Sequence, residues 1–474
     1  MAKDLRTFLK QLQKASPEEL LHVPGRINSE LEATTFLRKM ELEGKMPLTI
    51  FEHPTALDGT DSEFPLVFNA FSTRKKFCAA LDLDMSDYKM ALSMELKRRF
   101  ANRIEAITIP DTEAPVKEVV LTGETAGFDK LPIPKHHEHD GGPYILGGAV
   151  VTRDPDSGAY NLAMIRVHVK DNKIAAIHAE PHHHTGMNIK KYGERGQKAP
   201  IAIVIGHHPG FYLGSCWEGP YGTDEYEMAG AALGEAVRLV PSESWGKELM
   251  VPADAEMIIE CEVDWNDRIP EGPVGEHTRH YKNFKGGVVT EQLDPKLTPL
   301  VITHRKNAYY QSLFIGHAEH CLLGSIPKEA VIYEKVRATC PGIQAVHMTP
   351  GGCGRYICYL SLKQRVGGEA RDAIMAAFVC DWHLKYVIAV DEDVDVFSDS
   401  EVLWALATRT QPDRATFIIP GAMGATVDPT VDSKTKISSK MGIDCTKPYG
   451  VPFSEVCEVP YDMLEGIHIE DYLS

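Results

Sequence analysis

Met257-Ile-Ile-Glu-Cys-Glu-Val263 is a short run with too many apolar and β-branched residues, and too little helical spacing, to suit a helix. It predicts a largely buried strand. Runs of the same texture recur at Ala149-Val-Val-Thr152 and Ile201-Ala-Ile-Val-Ile205, separated by Gly and Pro. Residues from about 140 to 315 therefore predict a sheet or barrel domain, with one helix around Glu225 to Leu239. N-terminal to it, Leu5, Leu9 and Leu12 suit an opening helix, and Ser86 to Ala106 a second one with Ser86 as N-cap and Leu92, Met94 and Leu96 inside. Pro47 to Phe51 and Pro65 to Phe68 read as strands between them, and the Pro/Thr/Glu-rich stretch from Ile107 to Pro134 as a linker. C-terminal to the β-rich part, helices are expected over Lys328 to Arg337, Glu369 to His383 and Ser400 to Arg409. A buried strand, Lys385 to Val390, lies among them and runs into the acidic turn Asp391 to Asp395. This alternation predicts a second α/β layer, so the chain is of the α/β (α+β) class.

Whole-chain properties narrow the function. At 474 residues the chain predicts two or three domains. Its formal net charge of -17 argues against nucleic acid or an anionic membrane as partner, but not against a small anionic substrate met by a local Arg. The N-terminus lacks an apolar signal core, and no stretch has the length to span a bilayer. The 10 cysteines are scattered; Cys353 and Cys358 are close but lack a paired CxxC arrangement, so reduced cytoplasmic thiols are expected. Walker, GxSxG, HExxH and dinucleotide signatures are missing, and Pro350-Gly-Gly-Cys-Gly354 reads as a plain turn in preference to a phosphate cradle.

Three groups carry candidate chemistry. Asn161 and Arg166 lie on one predicted strand, where a buried amide and guanidinium need partners. Their odd spacing puts them on opposite faces unless a bulge or twist intervenes. His182, His183 and His184 cannot all face one site on an extended backbone, so one or two are candidate metal ligands. In Pro270-Glu-Gly-Pro-Val-Gly-Glu276, the Gly and Pro residues force a turn that can bring Glu271 and Glu276 to one cleft. Mutual repulsion there is expected to raise one pKa and create a proton donor.

Taken together, Asn161 with Arg166, a His, Leu233-Gly-Glu235 and Glu271-Gly-Pro-Val-Gly-Glu276 resemble the signature of the UbiD family of reversible decarboxylases. Asp140-Gly-Gly-Pro-Tyr144, Thr303-His-Arg-Lys-Asn307, Val390 to Asp395 and Met441-Gly-Ile-Asp444 support the resemblance along nearly the whole chain. It implies an N-terminal α/β domain (1–115), a central split β-barrel flavin-binding domain (116–318) and a C-terminal α/β oligomerisation domain (319–474). Prenylated FMN would serve as electron sink. Asn161, His184 and Glu235 would ligate a divalent cation, usually Mn2+, with His183 as the alternative to His184. Lys385 would neutralise the cofactor phosphate, and K+ would sit near the flavin. Arg166, Glu271 and Glu276 would form the catalytic group, with Glu276 protonating the carbon that loses CO2. The resemblance further implies a flavin prenyltransferase as cofactor supplier and a homodimer or homohexamer, while the cysteine pattern and missing signal core lead to the expectation of a cytoplasmic location.

The substrate would be an aromatic, heteroaromatic or α,β-unsaturated acid. The presence of Glu271 leans towards a furan or pyrrole carboxylate, with a hydroxybenzoate-type acid as the alternative. Arg305 and Asn307 sit in a segment that resembles one in members acting on hydroxybenzoates and on furan or other heteroaromatic acids, and His304, Tyr309, Tyr310, His280 and Tyr281 either shape a polar aromatic pocket or are structural. A non-catalytic subunit of a larger carboxylase complex is the reading from a different class, and the presence of Arg166 and Glu276 weighs against it.

Overall fold

The computed structural model describes residues 2–432, 434–457, 459–460, 463–464 and 466–473. Its centre is a nine-stranded sheet made of β1 (Val119–Thr122), β2 (Tyr144–Ile145), β3 (Ala149–Arg153), β4 (Tyr160–Met164), β5 (Val167–Val169), β6 (Ala175–Ile177), β7 (Ala199–Ile205), β8 (Met257–Glu271) and β9 (Gln292–His304). The order is β2-β5-β6-β9-β8-β7-β3-β4, with β1 added on β9. β4 ends this path and β5 is second from its other end, yet only Ile165 and Arg166 separate them in the chain. The sheet must therefore curl until its ends nearly meet, which gives the half-barrel. Ile201, Ile203, Ile259, Val263 and Ile302 are fully buried on its inner packing surface. The strand predicted over Met257 to Val263 continues to Glu271, bending through register shifts against β9 at Glu260/Cys261 and Asp264/Arg268.

The N-terminal part packs its opening helix, Leu5–Ala15, through Leu5, Phe8, Leu9 and Leu12, with Asp4 and Thr7 forming a capping box. Strands Leu20–Ile27, Leu48–Pro54 and Leu66–Phe68 form a sheet that Tyr310–Gln311 completes in parallel with Leu66–Phe68. The helix expected over Ser86 to Ala106 is shorter, Met90–Phe100, because Asp84 caps a separate 3-10 turn over Met85–Asp87. The expected linker from Ile107 to Pro134 is ordered instead: Ile107–Thr108 pairs with Arg238–Ser242, and β1 with β9.

The C-terminal part is a five-stranded sheet ordered Ile343–His347, Ile357–Leu362, Tyr386–Asp391, Ile437–Asp444, Thr416–Met423. Helix Ala318–Thr339 leads into it, ten residues longer at its start than expected and holding Pro327 inside, while Glu369–Cys380 ends three residues early. Helix Asp399–Arg409 is capped by the Ser398 side chain. No helix among the described residues is long and apolar enough to cross a membrane.

Candidate active site

Arg166 sits in the two-residue break between β4 and β5, so the strand that bears Asn161 ends before Arg166 is reached. The break removes the alternation problem that their spacing posed. At the far end of the half-barrel, β8 delivers Glu271 into a tight turn, after which Val274–Gly275 pairs with Tyr281–Lys282 and presents Glu276. Arg166 Nε and Nη2 donate to Glu271 Oε1 and Oε2 at 2.6 and 3.0 Å, and Nη1 donates to Glu276 Oε1 at 2.6 Å. Glu271 and Glu276 retain only 1% and 7% of their exposure. Burial opposes ionisation of Glu276, but Arg166 and then His277 outweigh it and hold the carboxyl far below its ordinary range. The expected repulsion between two bare carboxylates does not arise, because the guanidinium stands between them. Burial likewise opposes the Arg166 charge, and the two glutamates overcome it.

The turn that carries both acids is shaped by the Asp140 to Tyr144 motif. Tyr144 OH donates to the carbonyls of Gly272 and Pro273 at 3.0 and 3.2 Å, and its ring stacks on His168 at 4.3 Å. His168 Nδ1 accepts from Gly272 N at 3.0 Å, which fixes the tautomer as Nε2–H. Asp140 Oδ1 accepts from Gly275 N at 2.8 Å. A methyl group on Gly272 would come 2.9 Å from Gly141 Cα and from His168 Cε1, so only glycine lets these segments meet.

Behind Glu271 lies His178, unnoticed in the sequence. Its Nδ1 is 3.1 Å from Asp294 Oδ2 and 3.7 Å from Glu271 Oε2, and its Nε2 is 3.3 Å from both Glu180 Oε1 and Lys282 Nζ. Burial disfavours its cation, yet Asp294 and Glu180 raise its pKa. Ligand-type atoms of His178, Glu271 and Asp294 lie within 4.8 Å of one another. Arg166 and Lys282 already supply positive charge to the same groups, which weighs against a metal ion there.

A second cluster gathers around Asn161. Glu225 Oε2 accepts from Asn161 Nδ2 and from Leu162 N, both at 2.6 Å, and Oε1 is 3.4 Å from His184 Nδ1. Thr185 Oγ1 donates to Asn161 Oδ1 at 2.8 Å. The histidine run is not extended: His183 is the N-cap of helix His184–Glu194, and His184 rather than His183 turns towards Glu225. Glu225 opens helix Glu225–Leu233 behind the N-cap Asp224. That helix stops at Gly234, in the left-handed conformation at φ 79°, and not at Leu239.

This ending corrects the assignment of Glu235. Glu235 lies past the far end of the helix, and its Oε1 accepts from Lys3 N at 2.6 Å, while Glu225 takes the place beside Asn161. The Asp224-Glu225 pair at a helix start was the signal that could have found it. Lys385 is also not free for a phosphate here, since its Nζ donates to Asp428 and Thr430 at 2.8 and 2.6 Å. Of the pocket candidates, Arg305 binds Asp4 and the Asp254 and Ala255 carbonyls. His304 packs edge-on against Phe64, and Tyr310 is buried, so these are structural. His280 and Tyr281 do belong to the Glu276 hairpin: His280 O accepts from Glu276 N, and Tyr281 OH accepts from His139 N.

Residues 12–93, 108–318 and 321–445 match the N-terminal, Rift-related and C-terminal domain models of 3-octaprenyl-4-hydroxybenzoate carboxy-lyase. This chain belongs to the UbiD family. Like its relatives it is a carboxy-lyase, a decarboxylase. It is 32% identical to anhydromevalonate phosphate decarboxylase of Methanothermobacter thermautotrophicus over 94% of this chain and 97% of that one. The Aeropyrum pernix protein of the same name is 31% identical, over 81% and 82% of the two chains. Among solved UbiD structures, HmfF from Pelotomaculum thermopropionicum in complex with FMN superimposes with a TM-score of 0.89 at 32% identity, covering 99% of this chain and 100% of that one. Vanillic acid decarboxylase of Sedimentibacter hydroxybenzoicus in its open form gives 0.85 at 28% identity, covering 100% and 98%.

Proposed function

We propose that this UbiD-family enzyme reversibly and non-oxidatively decarboxylates an α,β-unsaturated acid, aromatic and heteroaromatic acids included, with prenylated FMN as cofactor. The observation that carries the reading is the buried Glu271–Arg166–Glu276 group. The flavin complexes of HmfF, with FMN and with prFMN, support the cofactor. Prenylated FMN, when bound, supplies the electron sink that loss of CO2 demands and that no side chain provides.

The residues around Asn161 fit a divalent cation that grips the cofactor phosphate. Among the described residues, the nearly buried Glu225 carboxylate has only His184 as an ion-pair partner. An amide oxygen, an imidazole and a carboxylate form a donor set suited to Mn2+. A cation there would take the place of the Asn161 N–H on Glu225, with the amide turned to present its oxygen.

Arg166 orients the substrate carboxylate by hydrogen bonds from Nη1 and keeps its bidentate contact with Glu271 through Nε and Nη2. A substrate carboxylate on Nη1 displaces Glu276 from that contact. Without its counter-charge, the buried Glu276 carboxyl follows desolvation and its pKa rises. It then takes up a proton from solvent and delivers it from Oε1 to the carbon that CO2 has left. In the reverse direction the ionised Glu276, held by Arg166, is the base. The dimeric HmfF form supports a homo-oligomer.

The test is CO2 release from furan, pyrrole, hydroxybenzoic and cinnamic acids and anhydromevalonate phosphate. The protein is co-produced with a flavin prenyltransferase and supplied with Mn2+. Turnover of one class that vanishes in Glu276→Gln is expected. Failure on every acid by protein that carries the prenylated flavin and Mn2+ would sink the reading.

A further inference from the structure

On the Oε2 side of Glu276, opposite Arg166, the wall of the site comes from the C-terminal part. His277 Nδ1 lies 3.8 Å from Glu276 Oε2, and its Nε2 is 3.3 Å from Tyr356 OH. The His277 ring stacks near Tyr356 and meets His320 edge-on, at 5.8 and 5.9 Å. Next to Tyr356 is Arg355, half-buried, its guanidinium resting against helix Ala318–Thr339 where a methyl on Gly324 would fall 2.9 Å from Nη2. Its charge is felt at His277, His320, His383 and Cys216 and disfavours a further cation at the histidines.

Neighbouring cations on this wall are matched. Lys328 pairs with Asp381 and Glu218 at 3.0 and 3.1 Å, and Lys385 with Asp428 at 2.8 Å. Among the described residues Arg355 has no carboxylate within salt-bridge range and no acceptor for its five N–H donors. A half-buried guanidinium that spends none of its donors on the protein can give them to a ligand. Its planar fork fits a carboxylate or a phosphate.

We infer that Arg355, backed by His320 and His277, binds a second anionic group on the substrate, a carboxylate or phosphate remote from the one that is lost. The two arginines then have separate tasks: Arg166 meets the reacting carboxylate and Arg355 the far end. This inference rests on the decarboxylase reading above and narrows it to acids carrying two anionic groups. Arg355 is a specificity-determining residue that leaves the chemical step untouched.

Calorimetric titration of the flavin-loaded enzyme tests it without requiring turnover. The probes are furan dicarboxylate against furoate, and anhydromevalonate phosphate against its unphosphorylated parent acid. The wild type should bind the doubly anionic member of at least one pair about tenfold or more tighter, from the strength of charge-assisted hydrogen bonds. Arg355→Gln should erase that preference and leave the singly anionic member unchanged, and Arg355→Lys should restore part of it. Which pair shows the preference separates phosphate from carboxylate. Equal affinity within both pairs in the wild type, equal loss for both members in Arg355→Gln, or loss of bound flavin from that variant would overturn the inference. Tight, Arg355-dependent binding without CO2 release would instead uphold it and remove only the decarboxylation reading.

Discussion

Arg166 makes three hydrogen bonds to two buried carboxylates, so its replacement removes the nearest counter-charge of both. Arg166→Lys keeps a charge but loses the fork, and CO2 release should fall by about a hundredfold or more, in line with loss of a preorganised electrostatic contact. Steady-state assay of the loaded enzyme checks this. At the neighbouring cluster, Glu225→Gln should strip bound manganese and flavin, whereas Glu235→Gln should leave both in place, as read by metal analysis and flavin absorbance. The reverse pattern would return the ligand role to Glu235. Arg166, Glu271 and Glu276 could be picked out from the chain because their motif constrains spacing within short segments. Glu225 could not, because its position depends on where a helix begins, and the sequence reading attended to Leu233-Gly234-Glu235 at the other end.

At the scale of elements, the turn after β8 is held by glycine contact as much as by hydrogen bonds. Gly272→Ala drives a methyl into Gly141 and the His168 ring, and the turn must move to admit it. A shift of about an ångström at Glu271 should cost about a hundredfold in rate. Because the turn is local, the thermal midpoint should change little, and circular dichroism melting alongside the assay separates the two effects. Strand runs such as Ile201 to Ile205 were legible because β-branched residues crowd them. The break at Ile165-Arg166 was not, since nothing in Met164-Ile-Arg-Val167 announces that hydrogen bonding changes partner from β3 to β2 and β6. The short reach of helix Met90–Phe100 follows from Asp84, which captures the Ser86 N–H and starts a separate turn first.

Over the whole molecule, the N-terminal part clamps the other two. Arg74 Nη1 meets both oxygens of Glu329 at 3.0 and 2.9 Å, while Ser93 Oγ, His347 Nδ1 and Met348 N approach the same carboxylate at 2.5, 2.9 and 3.1 Å. Burial alone would push the Glu329 carboxyl up, but Arg74, His347 and Ser93 prevail and bring it from 4.5 to about 2. A depressed folded-state pKa stabilises the protein above the unfolded value and loses that effect as pH falls. This clamp should contribute up to about 3 kcal/mol above pH 4.5, declining to nothing near pH 2. The gap in stability between wild type and Glu329→Gln, followed by denaturant titration across that range, should close on acidification. Arg74→Met should lower the thermal midpoint by several degrees even at neutral pH, since it strands a buried charge. Such long-range ties were beyond sequence reading, as was the pairing of Tyr310–Gln311 with a sheet formed some 240 residues earlier.

The seam of the half-barrel also bears on how the chain matures. Arg166 meets Glu276 across 110 residues of sequence, beside the short link between β4 at one end of the sheet and β5 near the other. Contacts of such separation bear a large loop-closure entropy and form late. The decarboxylation machinery is therefore assembled by the same event that completes the barrel. A nascent or partly unfolded chain has no half-competent version of it.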